Sequence, residues 1–183
     1  GAGGGLGWAA PLPGLFGAVL LLATGRRFRL TSLLCWLLAI HSAILIVGGH
    51  YTYAEVPIGY WMQDVCGLAR NPYDRIGHLA QGFVPAILTR EILLRRSPLQ
   101  RGKWLFFLVV CVCLAFSALY EIIEWQSAVW AGDGSAAFLG TQGDIWDAQW
   151  DMLYALLGAI FAQLVLGRLP DRQIDPLAPP RLA

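Results

Sequence analysis

Polar side chains that can do chemistry recur at helical spacing in three separate stretches of the sequence. Each stretch offers three of them to one face of a helix: Asp74, His78 and Gln81; Ser117, Glu121 and Glu124; and Asp144, Asp147 and Asp151. The spacing is i, i+4, i+7 in the first two stretches and i, i+3, i+7 in the third. Carboxylate oxygens bind hard divalent cations and also serve as general acids or bases, and an imidazole extends the choice of metal toward zinc.

Helices that cross a membrane must position these stretches. The 183 residues are 57% hydrophobic and 14% charged, whereas soluble domains are about 45 to 50% apolar and about 25% charged. Several apolar stretches approach the roughly 20 residues that a helix needs to cross the hydrocarbon core. We predict one all-α domain over residues 1–169, a polytopic membrane helix bundle with about five spans at 8–24, 30–48, 76–94, 104–124 and 145–166, and an irregular Pro-rich tail over 170–183.

Basic residues orient this bundle. If the N-terminus lies outside, every Lys and Arg except Arg70 and Arg75 falls on the cytoplasmic side, together with the C-terminal tail. Most acidic residues fall in the outer loops or at the outer ends of spans, a bias that membrane orientation does not explain. The first span is followed by its basic residues and lacks a cleavage pattern, so we interpret it as a retained helix and not as a signal peptide.

Composition excludes several other classes of protein. A formal net charge of +1 leaves no basic surface for nucleic acid. The four cysteines form neither a CxxC pair nor a disulfide framework. The chain also lacks an HExxH motif, a GxSxG elbow and a phosphate-binding P-loop, so none of these catalytic signatures identifies a reaction.

The acidic residues also have structural interpretations. Asp74 and Asp144 open their helices, where a carboxylate caps free N–H groups. Glu121 and Glu124 lie near the end of a helix, where the dipole disfavours negative charge. Arg75, protonated His78, a bound metal ion or protonation of one carboxylate must therefore compensate them. Because polar groups cannot face lipid without a cost of several kcal/mol, we expect the three stretches to turn toward one shared site near the outer surface.

We therefore predict a site in which Asp74, His78, Asp144 and Asp147 bind a divalent metal (Mg, Mn, Ca or Zn), while Glu121, Glu124 and Asp151 act as catalytic groups. The corresponding function is hydrolysis or group transfer on a lipid or lipid-linked substrate. One alternative is a cation- or proton-binding transport protein, for which five spans imply an oligomer. Another is a non-catalytic assembly subunit. At the cytoplasmic end, Glu91 lies beside Arg90, which predicts ordinary surface pairing.

Long motifs carry a family resemblance. They are residues 50–57 (HYTYAEVP), 71–78 (NPYDRIGH), 81–85 (QGFVP), 120–125 (YEIIEW) and 138–152 (FLGTQGDIWDAQWDM). Through them the chain resembles the YjdF-like bacterial inner-membrane proteins, over roughly residues 41–159. A looser likeness to VanZ-like membrane proteins rests on the spacing of acids around Glu121 and Asp147. The resemblance implies a multi-pass protein of the bacterial inner membrane and supplies no reaction.

Overall fold

All regular structure in the described part of the chain is helical. The computed structural model describes residues 30–131 and 141–174. Its six helices are α1 (Ser32–His50), α2 (Pro57–Cys66), α3 (Tyr73–Arg96), α4 (Lys103–Ala131), α5 (Asp147–Leu166) and α6 (Arg168–Ile174). Helices α1, α3, α4 and α5 correspond to the last four predicted spans, whereas the first span, 8–24, lies outside the described residues.

Three of these helices, α1, α4 and α5, are long and apolar enough to cross a membrane. Helix α3 is also long, with 24 residues, but it carries charged side chains near both ends. These charges are largely buried against neighbouring helices, as Asp74, Arg90 and Glu91 show. Pro85 lies inside α3, where proline predicts a kink, and the helix continues beyond it to Arg96.

Two helices form where the sequence predicts none. No helix is predicted between the spans 30–48 and 76–94, yet α2 forms there because Pro57 suits the first turn of a helix and Gly67, in the left-handed conformation, ends it. The tail is expected to be irregular from residue 170, yet α6 continues to Ile174. Pro170 lies in the first turn of α6, where a helix tolerates proline.

Helix α3 is the centre of the bundle and contacts α1, α4 and α5, with its most extensive contact to α5. Glycines bring the backbones of α3 and α5 together. A Cβ atom on Gly82 would overlap the carbonyl oxygen of Ala155, and one on Gly158 would overlap the carbonyl oxygen of Leu79. This close approach sets the position of every side chain that α3 and α5 carry.

At one end of α3 a group of buried polar side chains is closely paired; we call it the Glu91 cluster (Thr31, Arg90, Glu91, Arg95 and Asp171). Glu91 is fully buried and accepts hydrogen bonds from the Thr31 hydroxyl at 2.9 Å and from Arg95 at 2.7 Å. Arg90 donates two hydrogen bonds to Asp171, at 2.9 and 2.8 Å. The prediction that Glu91 pairs with Arg90 at the surface is therefore wrong, because α1 and α6 cover this end of α3.

The Glu91 cluster also fixes the start of α1. The backbone N–H of Thr31 points at the Glu91 carboxylate, 3.2 Å from Oε1, and the Thr31 hydroxyl accepts from the backbone of Leu34. The side chain of Gln173, in α6, accepts from the backbone N–H of Leu33 at 3.2 Å. Free N–H groups in the first turn of α1 are thus satisfied by α3 and α6 as well as by the N-terminal cap of the helix itself.

Candidate metal centre

At the opposite end of α3, three helices bring their polar side chains together; we call this group the His78 cluster (Asp74, His78, Glu121 and Asp151). Asp74 and His78 occupy successive turns at the start of α3, Asp151 lies in the second turn of α5, and Glu121 comes from the later half of α4. Asp74, His78 and Asp151 are only 7%, 5% and 2% exposed. The convergence predicted from helical spacing is therefore present.

Three side chains of this cluster lie at ligand-like separations. One ligand atom each from Asp74, His78 and Asp151 falls within 4.8 Å of the other two. The Nε2 atom of His78 is 3.7 Å from Oδ1 of Asp74 and 3.8 Å from Oδ2 of Asp151. On the other side of the ring, Nδ1 is 3.7 Å from Oε1 of Glu121. These separations are too long for direct hydrogen bonds.

Several atoms of the cluster lack hydrogen-bond partners among the described residues. They are Nδ1 of His78, Oε1 of Glu121 and Oδ1 of Asp151, and the hydroxyl of Ser117, one turn before Glu121, is also buried without a partner. A buried polar atom without a partner costs about 1 to 3 kcal/mol. The arrangement therefore resembles a set of ligands more closely than a closed hydrogen-bond network.

Two arginines form ion pairs with the remaining predicted ligands. Arg70 lies against Asp147 and is 3.7 Å from Asp144 and 3.8 Å from Asp74. Arg75 donates a hydrogen bond of 3.1 Å to Asp144. Asp144 and Asp147, predicted as metal ligands, thus pair with guanidinium groups, whereas Asp151, predicted as a catalytic group, lies among the possible ligands.

Two further predicted residues lie at the margin of the site. Asp144 precedes α5 and accepts a hydrogen bond of 2.9 Å from the backbone of Trp146. Since Trp146 is the N-cap residue and α5 has no side-chain cap, the prediction that Asp144 caps the free N–H groups of this helix is wrong. Glu124 lies one turn beyond Glu121 on α4, half-buried, and does not belong to the group that offers ligand atoms. Arg75, expected as a possible partner of Glu121 and Glu124, instead pairs with Asp144 and lies over the Trp150 ring, 5.4 Å from its centroid.

Sequence reasoning missed the residues that hold the loops around the site. Arg70 entered only the count of outer basic residues, although it lies among three carboxylates. Asn71 is fully buried and exchanges hydrogen bonds with Gln142, from its N–H to the Gln142 side chain at 3.0 Å and back to its carbonyl at 3.1 Å. Asn71 lies in the motif NPYDRIGH and Gln142 lies in the motif FLGTQGDIWDAQWDM. Membership of these motifs was the sequence signal that could have identified the two residues.

An open depression adjoins the cluster. It has a volume of about 370 Å³, and its lining includes Leu68, Arg70, Arg75 and Asp144. Since Arg70 contacts Asp74 and Asp147, the floor of the depression is one side chain away from the His78 cluster. The depression therefore lies next to the cluster, although none of the four residues of the cluster lines it.

Comparison with known proteins agrees with the resemblance carried by the motifs. The family model for a predicted membrane protein (DUF2238) matches residues 6–172. The chain is 54% identical over 155 residues to the inner membrane protein YjdF of Escherichia coli (strain K12), which covers 85% of this chain and 74% of that protein. No solved structure matches the chain. The resemblance to YjdF-like inner-membrane proteins is confirmed.

Proposed function

The chain belongs to the DUF2238 family of predicted membrane proteins, and from this premise we propose that it is a multi-pass protein of the bacterial inner membrane that binds a divalent cation at the outer end of its helix bundle. In this proposal, helices α1, α3, α4 and α5 span the membrane together with the span that the sequence predicts at 8–24, with the N-terminus outside and the C-terminus in the cytoplasm. The uneven distribution of Lys and Arg supports this orientation, which places the His78 cluster on the outer side.

One observation carries the proposed cation site: Asp74, His78 and Asp151, all more than nine-tenths buried, aim ligand atoms at a common point. Five carboxylates and two guanidinium groups meet in and around the His78 cluster. The excess of negative charge in a buried setting is a strong physical reason for a cation to bind.

The donor set fits a divalent transition-metal ion. In a tetrahedral zinc site with ligands about 2.1 Å from the ion, two ligand atoms are about 3.4 Å apart. The separations of 3.7 and 3.8 Å around Nε2 of His78 approach that value, so small side-chain rotations suffice to close the site. One imidazole with carboxylates favours Zn²⁺ or Mn²⁺ over Mg²⁺ and Ca²⁺, which prefer oxygen ligands alone.

We further propose that the site serves hydrolysis or group transfer on a lipid or lipid-linked substrate. A bound divalent cation supplies Lewis acidity and activates water. Glu121 lies across the His78 ring from Nε2, where its unpartnered oxygen is placed to accept a hydrogen bond from Nδ1–H and so to orient the imidazole toward the ion. Arg70 and Arg75 line the adjoining depression, and their pairing with Asp144 and Asp147 holds its wall against the cluster. The opening of this depression next to the cluster favours a reactive site over a purely structural ion.

Ion content tests the cation site. The full chain is purified in detergent, equilibrated with Zn²⁺ or Mn²⁺, and analysed by mass spectrometry of the metal. We expect one ion per chain for the native protein and none for Asp151→Asn or Asp74→Asn, whereas Asp64→Asn, on the exposed surface of α2, retains the ion. Equal ion content in all four proteins contradicts the site.

Product analysis tests the reaction separately. The metal-loaded protein is incubated with a bacterial inner-membrane lipid extract, and the lipids are examined by mass spectrometry. We expect products that require the ion and that fall about 10- to 100-fold with Glu121→Gln while one ion per chain is retained. An ion that binds without any product contradicts the hydrolase or transferase proposal and leaves the cation site standing.

A further inference from the structure

Helix α2 presents an exposed apolar stripe that no described part of the chain covers. Ile58, Trp61 and Val65 are 57%, 62% and 66% exposed. Their spacing of i, i+3, i+7 places them on one face of the helix. Exposed apolar side chains that form one contiguous stripe mark a surface that meets another apolar phase.

The other faces of α2 contact described residues of the chain. Gly59 packs so closely on Asn71 that a Cβ atom would overlap the Asn71 side chain, and the Asn71 amide donates to the carbonyl of Val56 at 3.0 Å. On a third face, the Tyr60 hydroxyl donates to Glu55 at 2.7 Å, which raises the pKa of Tyr60. Helix α2 therefore has a packed face, a polar face and an apolar face.

The position of α2 along the chain fixes its depth. It connects the last turn of α1 to the first turn of α3, so it lies at the end of the bundle. Its 10 residues span about 15 Å, half of the hydrocarbon thickness, so it cannot cross the membrane. Near its end, α1, a helix long and apolar enough to cross a membrane, also exposes Ile46 and Val47, so apolar side chains are exposed on both sides of the connection between α1 and α2.

We propose that α2 lies in the plane of the membrane interface and inserts Ile58, Trp61 and Val65 into the boundary between headgroups and acyl chains. Helices of this kind lie about 5 to 10 Å deep at that boundary, and tryptophan is typical there. Residues 51–69 contain no Lys or Arg and two acids, Glu55 and Asp64. Burial of apolar surface, and not attraction to anionic lipid, therefore holds this helix in the bilayer.

This placement has a consequence for the depression beside the His78 cluster. After α2 ends at Cys66, the chain runs through Leu68 and Ala69 to Arg70, and these three residues line the depression. An interfacial α2 therefore holds the depression at the level of the lipid headgroups. The depth of the depression depends on the insertion of α2 and is independent of whether the cluster binds a cation.

Site-directed fluorescence tests the insertion. The native cysteines are replaced, single cysteines are introduced by Ile58→Cys, Trp61→Cys, Val65→Cys or Asp64→Cys, and each is labelled with an environment-sensitive dye. The full chain is then placed in bilayer nanodiscs of zwitterionic lipid. We expect blue-shifted emission at 58, 61 and 65, with stronger quenching by lipids brominated near the carbonyl end of the acyl chain than by lipids brominated near its terminus. We expect emission like that of dye in water at 64.

The quenching should be unchanged between low and high salt, because no basic residue of α2 is involved. Each variant is compared with the parent by its thermal unfolding midpoint, and a misfolded variant is replaced by labelling at Met62 on the same side of the helix. Emission like that of dye in water at all positions overturns the proposal. So does blue-shifted emission without lipid quenching, which would indicate that a second copy of the chain covers the stripe.

Discussion

Two buried groups of charged side chains lie at opposite ends of α3, and they differ in how completely they are paired. In the Glu91 cluster, the carboxylates of Glu91 and Asp171 receive hydrogen bonds from arginines and from Thr31, all between 2.7 and 3.4 Å. In the His78 cluster, the imidazole is 3.7 to 3.8 Å from three carboxylates, and polar atoms of three side chains lack partners among the described residues.

The difference shows that burial of charge does not by itself indicate function. Glu91 is more deeply buried than Asp74, His78 or Asp151, yet its hydrogen bonds are complete and leave no coordination capacity for a ligand. A buried ion pair with satisfied hydrogen bonds fastens helices to one another. A buried group with unmet hydrogen-bonding capacity has a cost that a ligand can remove.

The largest expected effect comes from the α3–α5 contact on which both clusters depend. Gly82→Leu must push Ala155 away, since even a Cβ atom overlaps its carbonyl oxygen. We expect loss of the folded monomer in detergent, measured by size-exclusion chromatography. Gly77→Ala on the same helix is the control, because its Cβ meets only the Tyr53 ring at 3.6 Å, and it should retain the native elution profile. A folded Gly82→Leu variant would contradict the close backbone contact.

The Glu91 cluster should respond strongly to loss of one partner. Asp171→Ala leaves the buried Arg90 guanidinium without its two hydrogen bonds. Breaking a buried pair in this way costs about 3 to 5 kcal/mol. We expect the thermal unfolding midpoint to fall by the same amount with and without added Zn²⁺. Asp64→Ala, on an exposed surface, serves as the control and should leave the midpoint unchanged.

The stability that the His78 cluster contributes should depend on Zn²⁺, unlike that of the Glu91 cluster. Saturating Zn²⁺, at about 100 times its Kd, stabilises the native protein by about 2.7 kcal/mol, and EDTA removes this gain. Asp151→Asn should abolish the gain while leaving the metal-free protein at least as stable as the parent, because it removes a buried carboxylate that has an unpaired oxygen. If Asp151→Asn destabilises the metal-free protein as much as Asp171→Ala does, the two clusters are equivalent and the comparison fails.

The smallest effect concerns the loop beside the His78 cluster. Gln142→Ala removes two hydrogen bonds to the backbone of Asn71, of 3.0 and 3.1 Å. We expect a loss of about 1 kcal/mol in the free energy of unfolding, typical of such bonds. Ion content should remain at one per chain, since Gln142 supplies no ligand. A loss of ion with a small change in stability would instead show that the loop takes part in binding.

Helical spacing predicted the convergence of polar stretches because a period of 3.6 residues determines which side chains share a face. It placed Asp74, His78, Glu121 and Asp151 in one region, as the structure does. It could not separate Asp151 from Asp144 and Asp147, because that depends on where Arg70 lies, and Arg70 comes from a loop without periodicity. The same limit explains the error at Glu91, whose partners Thr31 and Arg95 include one that is 60 residues away in the sequence.

The hydrogen bonds at the start of α1 have a consequence for biosynthesis. Thr31 and Leu33 leave the ribosome early, but their partners Glu91 and Gln173 are synthesised much later. Helix α1 therefore enters the membrane with an incompletely satisfied first turn and reaches its final state only when the last described helix emerges. Translation arrested before residue 173 should thus yield a nascent protein in which this end of α1 remains open to proteases.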